Sequence, residues 1–168
     1  RGLADNRGRA QAMIMAGLVS SDTRRLDKPG HRVAVDIPLA VKGPEHPWVS
    51  RGGVKLAHGL EHFGIDAKGR VCLDIGASTG GFTDVLLNGG AAKVYAVDVG
   101  KGQLAWKVSQ NERVVVLDKT NARHLSDKEV PEPIDLIVCD ASFIGLETLL
   151  PAPMAVANPN SQGGAHLI

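Results

Sequence analysis

The sequence predicts a doubly wound, Rossmann-like α/β domain that follows a smaller basic segment. Short apolar runs alternate with helical patterns from residue 71 onward, which is typical of a parallel sheet with helices on both faces. A glycine-rich turn joins the first of these runs to its helix, and aspartates end the second and fourth runs. With 168 residues and 43% hydrophobic composition, the chain can bury one sizeable core.

Residues 1–41 predict a small α+β unit. Apolar residues at helical spacing indicate a helix over 7–18, the KPG sequence at 28–30 indicates a turn, and alternating apolar residues predict a strand over 33–37. Two prolines within 42–50 indicate a linker. We therefore expect the domain boundary in that linker.

The predicted sheet domain begins with a helix in the sequence GGVKLAHGLEHFGI, residues 52–65. The spacing of four apolar residues predicts its buried face, which consists of Val54, Ala57, Leu60 and Phe63. Five strands are predicted at 71–75, 93–99, 114–117, 135–140 and 165–168. Helical segments are predicted at 80–90, 104–109 and 147–157.

The charge is distributed unevenly along the chain. Residues 1–55 carry a net charge of +5 and residues 56–168 a net charge of −4. A basic front joined to an acidic body indicates that one part contacts a polyanion while the other does different work. Uneven charge on a solvated surface remains the alternative.

The cysteine content and the lack of long apolar stretches favour a cytoplasmic protein. Cys72 and Cys139 lie within apolar runs, which predicts buried, reduced thiols and no disulfide or metal cluster. No stretch approaches the roughly 18 apolar residues of a membrane span, and no secretory signal is evident. The chain opens within a helical pattern and stops where a strand begins, so we expect it to be cut at both ends.

The turn LDIGASTGGFTDVLL predicts a nucleotide-type ligand. Its pattern, Asp74-x-Gly76-x-x-x-Gly80-Gly81, differs from the dinucleotide pattern G-x-G-x-x-G, and no Lys-Ser/Thr pair follows to form a P-loop. A carboxylate beside the turn would repel a pyrophosphate but suits a cation with an ammonium group, such as S-adenosylmethionine. Asp98 ends the second strand, where it can bind both ribose hydroxyls. A plain strand-to-helix turn is the alternative.

Two further positions complete the predicted cofactor site. Asn121, after the third strand, could bond the adenine edge, although an ordinary loop role is also open. Asp140 ends the fourth strand beside the same crevice, where open α/β sheets bind ligands; an N-cap role is its alternative. The cofactor-binding candidates are Asp74, Gly76, Ala77, Ser78, Thr79, Gly80, Gly81, Phe82, Asp98, Val99, Asn121, Ala122 and Asp140.

Four motifs together resemble a known family. SRGGVKL, CLDIGASTGGFTD, VYAVDVG and DLIVCDASFI, in this order, are similar to the TlyA-type (hemolysin A) rRNA methyltransferases of the FtsJ-like ribose 2′-O-methyltransferase group. Residues 1–41 resemble the later part of that family's S4 RNA-binding domain, and 51–168 its methyltransferase domain, truncated after strand five begins. The resemblance implies S-adenosylmethionine as cofactor, ribosomal RNA or ribosomal subunits as partner, and methyl transfer to a ribose 2′-hydroxyl.

The resemblance also implies catalytic residues. The FtsJ-like group uses a Lys-Asp-Lys-Glu tetrad, whose first lysine matches Lys55 and whose aspartate matches Asp140. The second lysine is expected in a K-P-Q-F-E segment and the glutamate after it; neither motif occurs in these 168 residues, so weak or absent turnover is expected for them alone. Lys55 would orient the hydroxyl and lower the pKa of the second lysine, the expected base.

RNA phosphate contact is the functional interpretation for one further group, and solvated surface is its alternative. The group consists of Arg7, Arg9, Arg24, Arg25, Lys28, Ser50 and Arg51.

Three other functions compete with RNA methylation. An RNA- and cofactor-binding module without turnover fits the missing half of the tetrad. Membrane lysis, which the family's older name suggests, lacks a spanning segment or a strongly cationic amphipathic helix. A dinucleotide oxidoreductase is disfavoured by the glycine pattern.

Overall fold

The computed structural model describes residues 2–4, 6–22, 24–43, 46–141, 144–158 and 166–167. The chain divides into two compact units, Arg1–Pro47 and Trp48–Ile168. Trp48 and Val49 pack against the core of the second unit, so the last residues of the predicted linker belong to that unit.

The first unit combines one helix with a small antiparallel sheet. The strand order is β2-β1-β3. The elements are α1 (Arg7–Met15), β1 (Val19–Ser21), β2 (Arg24–Arg25) and β3 (Ala40–Val41). The predicted turn at 28–30 is confirmed, since the His31 N–H donates to the Lys28 carbonyl at 3.0 Å.

The strand predicted over 33–37 is wrong. These residues form no strand, and the side chain of Val35 is 92% exposed. The Ile37 N–H instead donates to the Ala34 carbonyl at 3.3 Å and closes a turn. Because β1 takes Ala40–Val41 as its partner, the alternating apolar residues have no sheet face to cover.

The second unit confirms the doubly wound, Rossmann-like α/β class. Its five strands are all parallel and lie in the order β6-β5-β4-β7-β8. They are β4 (Val71–Ile75), β5 (Lys93–Val97), β6 (Val114–Leu117), β7 (Leu136–Cys139) and β8 (His166–Leu167). The chain winds outward from β4 in both directions, so a crevice is expected where the carboxyl ends of β4 and β7 diverge.

Helices cover both faces of this sheet. They are α2 (Gly52–Phe63), α3 (Gly81–Asn88), α4 (Trp106–Ser109), α5 (Leu146–Leu149) and α6 (Pro151–Ala155), with a 3₁₀ turn at Ala122–His124. Successive strand residues point to opposite faces, so Cys72 packs with α2 and α3 while Leu73 packs with α5 and the 3₁₀ turn. Burial raises the pKa of the Cys72 thiol to about 12; Cys139 is half-buried.

Helix α2 is buried along a face different from the predicted one. Ala57 and Leu60 pack partly against the core as expected, but Val54 is 45% exposed and Phe63 66% exposed. The fully buried positions are Gly53 and Leu56. The buried face is therefore shifted by one residue at the start of the helix.

A contact between two glycines explains this shift. A Cβ atom on Gly81 would lie 2.8 Å from the Gly53 nitrogen and 2.2 Å from Ser50 Oγ, and one on Gly53 would lie 3.0 Å from the Gly81 carbonyl oxygen. Helices α2 and α3 thus meet backbone to backbone. Only glycine at both positions allows this approach.

We expect Gly81→Ala to lower the free energy of unfolding by about 1–3 kcal/mol, because the added methyl group has no space between the helices. Urea titration of the purified chain measures the effect. Gly145→Ala is the control: Gly145 precedes α5 with a φ of −68°, and an added Cβ would meet nothing nearer than the flexible Glu147 side chain at 3.7 Å. Equal stabilities for the two variants would contradict the proposed crowding.

Candidate active site

The carboxyl ends of β4, β5 and β7 bring the predicted motifs together. The N–H groups of Gly76 and Ala77 both donate to the Val97 carbonyl, at 2.9 and 3.1 Å, and the Asp140 N–H donates to the Ile75 carbonyl at 3.2 Å. Gly76 has a φ of +80°, and a Cβ on it would lie 3.1 Å from the Asp140 carbonyl oxygen. Glycine is therefore required for the turn to pass this close to the end of β7.

Two adjoining cavities open at this edge of the sheet. The first has a volume of about 440 Å³ and the second about 530 Å³. Predicted residues that line the first are Ser50, Lys55, Gly76, Ala77, Ser78, Thr79, Gly81, Phe82 and Asp140. Predicted residues that line the second are Gly76, Ser78, Asp98, Val99, Asn121, Ala122 and Asp140. Gly76, Ser78 and Asp140 form the wall that both cavities share.

Two predicted cofactor residues, Asp74 and Gly80, line neither cavity. Gly80 has a φ of +90° and a Cβ on it would lie 2.8 Å from Leu104 Cδ2, so its role is to form the turn before α3. Asp74 is 1% exposed within β4. Thr83 Oγ1 donates to its Oδ2 at 2.6 Å.

The other oxygen of Asp74, Oδ1, is buried and lacks a hydrogen-bond partner among the described residues. Burial raises the pKa of Asp74 to about 7, the bond from Thr83 opposes this rise, and the nearby charges of Asp140 and Asp98 add to it. A buried carboxylate without a full set of partners is costly in its charged form, so Asp74 holds its proton to a higher pH than an exposed aspartate does.

Asp98 braces the loops around the second cavity. Its Oδ2 accepts the N–H of Ser78 at 2.8 Å, and its Oδ1 accepts the N–H of Gly100 at 2.7 Å. The first bond holds Ser78 in a left-handed conformation, with a φ of 48°. Each carboxylate oxygen can accept a second hydrogen bond, so Asp98 can also bind a ligand's hydroxyl groups.

The residues after β5 and β6 differ in what they offer a ligand. Val99 is 73% exposed at the second cavity. Asn121 Oδ1 accepts the N–H of Arg123 at 3.1 Å and caps the 3₁₀ turn. Asn121 therefore has a structural role within its own loop. The sequence analysis did not predict Gln103 and Ile144 as site residues, although both line this cavity. Gln103 belongs to no recognised motif, and Ile144 ends the motif DLIVCDASFI.

Lys55 and Asp140, which are 85 residues apart in the chain, meet at the first cavity. The Lys55 ammonium lies 3.2 Å from Oδ1 and 3.1 Å from Oδ2 of Asp140. Their side chains are 69% and 45% exposed. A pair this exposed contributes little to stability, so it is available to interact with a substrate.

The residues predicted to contact RNA fall in both units. Ser50 lines the first cavity, and Arg51 is exposed before α2. The others lie in the first unit, where Arg7, Arg24 and Lys28 are exposed. Arg25 also donates to the Ala16 carbonyl at 3.4 Å after α1. Arg9 lies in α1, but its side chain is outside the described part of the structure.

Comparison with known families agrees with this geometry. The model of the FtsJ-like methyltransferase family matches residues 48–164. The chain belongs to this family. The matched range includes both cavities and the Lys55–Asp140 pair.

Relatives of this FtsJ-like chain include rRNA-modifying proteins. It is 50% identical to "16S/23S rRNA (cytidine-2′-O)-methyltransferase TlyA" of Mycobacterium tuberculosis over 94% of the chain and 59% of the relative. It is 47% identical to "putative rRNA methyltransferase YqxC" of Bacillus subtilis over 96% of the chain and 58% of the relative. The chain thus spans about three-fifths of the length of these curated relatives.

A solved structure of similar architecture carries a different name. It is described as a "putative hemolysin" from Streptococcus thermophilus, with a TM-score of 0.69 and 41% identity over 94% of this chain and 58% of that one. Among the described residues of the FtsJ-like chain, no helix has the length and apolar character needed to cross a membrane.

We expect Asp74→Asn to remove a pH-dependent loss of stability. The pKa of Asp74 rises from 3.8 to about 7 on folding, so the folded chain holds this proton more tightly than the unfolded chain does. The contribution of Asp74 to the free energy of unfolding should therefore fall as the pH rises from 3.8 to about 7, and level off above. Urea titrations at pH 5 and pH 8, compared between wild type and variant, isolate this slope. Parallel pH profiles would show that Asp74 is not the group responsible.

Proposed function

We propose that the protein transfers a methyl group from S-adenosylmethionine to a ribose 2′-hydroxyl of ribosomal RNA. The main support is the Lys55–Asp140 pair in a cavity that shares one wall with a second, larger cavity. Two sites with a common wall suit a direct transfer between two bound molecules. Relatives named as rRNA (cytidine-2′-O)-methyltransferases support the same substrate class.

The second cavity suits the adenosine part of S-adenosylmethionine. Asp98 would bind the ribose hydroxyls, and exposed Val99 would cover one face of the adenine. Asp74, Asp98 and Asp140 gather negative charge around the turn, which disfavours a pyrophosphate and favours a cationic cofactor. When bound, S-adenosylmethionine supplies a methyl group on a positively charged sulfur.

The first cavity suits the ribose of the RNA. A 2′-hydroxyl is a weak nucleophile at neutral pH, so its oxygen must be oriented and its proton removed as the bond to the methyl carbon forms. The Lys55 ammonium, held by Asp140, would donate to that oxygen and stabilise the negative charge that develops on it. The base itself would be the second lysine of the tetrad that the resemblance to FtsJ-like enzymes implies.

The first unit would contribute RNA affinity. Arg7, Arg24 and Lys28 are exposed there and can contact phosphates without reading base sequence. Because each phosphate contact releases counterions, the affinity for RNA falls as the salt concentration rises. RNA binding by this unit should therefore be salt-dependent and largely indifferent to sequence.

Cofactor choice can be tested on the 168-residue chain by isothermal titration. We expect S-adenosylhomocysteine to bind and NAD to bind far more weakly. Asp98→Ala should weaken S-adenosylhomocysteine binding by roughly tenfold or more, because hydrogen bonds that contact a charged group contribute about 1.5–3 kcal/mol. Lys55→Ala should leave this affinity nearly unchanged. Comparable binding of NAD would favour the dinucleotide alternative.

Methyl transfer is tested with the full-length protein, incubated with labelled S-adenosylmethionine and ribosomal RNA. We expect label in alkali-resistant dinucleotides, the mark of 2′-O-methylation, and a roughly 100-fold or greater loss of kcat in Lys55→Ala, because an aligned electrostatic donor is removed. The matched control is Lys68→Ala. Lys68 is an exposed lysine that precedes β4, at the end of the strand opposite to the cavities. Label on a base would contradict the proposed reaction.

A further inference from the structure

A second carboxylate in the unit, that of Asp84, is buried outside both cavities. It lies in the first turn of α3 and is 2% exposed. Its Oδ1 accepts from Asn88 Nδ2 at 3.1 Å and from the Lys107 ammonium at 3.2 Å. Its Oδ2 accepts the backbone N–H of Val49 at 3.0 Å. The helix N-terminus further stabilises its negative charge.

The bond to Val49 connects Asp84 to the origin of α2. Ser50 and Arg51, the next two residues, accept the first N–H groups of the helix: Gly53 donates to the Ser50 carbonyl and Val54 to that of Arg51, each at 3.1 Å. Arg51 provides no side-chain cap. The start of α2 is therefore held by Asp84 from outside the helix.

Lys107 extends the same connection to α4. This lysine follows the start of α4, where the Ala105 N–H donates to the Thr79 carbonyl at 3.1 Å. Thr79 belongs to the glycine turn and lines the first cavity. Asp84 thus links three segments around that cavity, namely the start of α2, helix α3 and the start of α4.

We infer that Asp84 is a positioning residue for the proposed methyl transfer, one that sets the start of α2 so that Lys55 meets Asp140. It lines neither cavity, so its effect on the reaction would pass through the start of α2 to Lys55. Asp84→Asn keeps the shape of the side chain but removes its negative charge, which weakens the hydrogen bond from the Val49 N–H. Val49→Pro deletes the N–H donor and leaves the carboxylate in place.

The inference rests on the proposed function, and two of its readouts do not require activity. On the 168-residue chain, acetic anhydride labels lysines, and mass spectrometry compares Lys55 with exposed Lys68. We expect Asp84→Asn and Val49→Pro to increase the labelling of Lys55 toward the level it reaches in the Asp140→Asn variant. The reason is that the Lys55 ammonium moves away from the Asp140 carboxylate. Affinity for S-adenosylhomocysteine should stay within about threefold, which shows a folded cofactor site. Lys107→Met, which touches Asp84 but not residues 48–55, should leave Lys55 labelling near wild type.

In the complete gene product, Asp84→Asn should lower kcat by roughly 10- to 100-fold, because a small displacement of a reacting group is costly. In a Lys55→Ala background the same change should alter kcat by less than about twofold, since coupled residues are not additive. Additive losses, or wild-type labelling of Lys55 in both Asp84→Asn and Val49→Pro, would overturn the inference. If wild type methylates no RNA, the proposed reaction fails, while the labelling result still decides the role of Asp84.

Discussion

The place of the Lys55 ammonium depends on the close backbone approach of α2 and α3. Gly53 and Gly81 meet so closely that no side chain fits between them. Gly81 also ends the turn GASTGG, which begins at Gly76 and supplies much of the lining of the first cavity. One short stretch of sequence therefore shapes a ligand-binding turn and admits the helix that carries Lys55.

Electrostatics adds a second constraint on the ligand. Asp74, Asp98 and Asp140 are close enough that the charges of the last two raise the pKa of the first. Among the described residues, the carboxylate that pairs with Lys55 is that of Asp140. Burial of Asp74 costs stability at neutral pH, and a ligand ammonium and a sulfonium would offset that cost. In the proposed reaction, the negative charge of these carboxylates would favour a cationic cofactor over a pyrophosphate.

Sequence patterns predicted the sheet domain closely, with each strand end within two residues of its observed position. Continuous apolar runs bounded by turn residues are a strong signal for buried parallel strands. The strand over 33–37 was predicted wrongly because alternating apolar residues indicate a strand only where a neighbouring strand is available to pair with it. The buried face of α2 was predicted wrongly because the spacing of apolar residues does not take glycine into account. Gly53 lies on the buried face, where it meets Gly81 of α3.

The site was predictable to the extent that motifs mark it. Strand ends pointed to Asp98 and Asp140, and family resemblance to Lys55. Asp84 ends the motif CLDIGASTGGFTD, but the motif does not reveal its role, because an acidic residue in the first turn of a helix is ordinary and its burial depends on packing between segments far apart in the chain.

The contrast between Asp84 and the Lys55–Asp140 pair indicates a division of labour. A buried, hydrogen-bonded carboxylate is costly to disturb, so Asp84 suits a permanent structural contact. An exposed ion pair is weak, so Lys55 can exchange part of its contact with Asp140 for a substrate hydroxyl at little cost. In the proposed reaction, the buried Asp84–Val49 contact would fix the start of α2. The exposed Lys55–Asp140 pair would then be positioned precisely and still be free to bind the substrate.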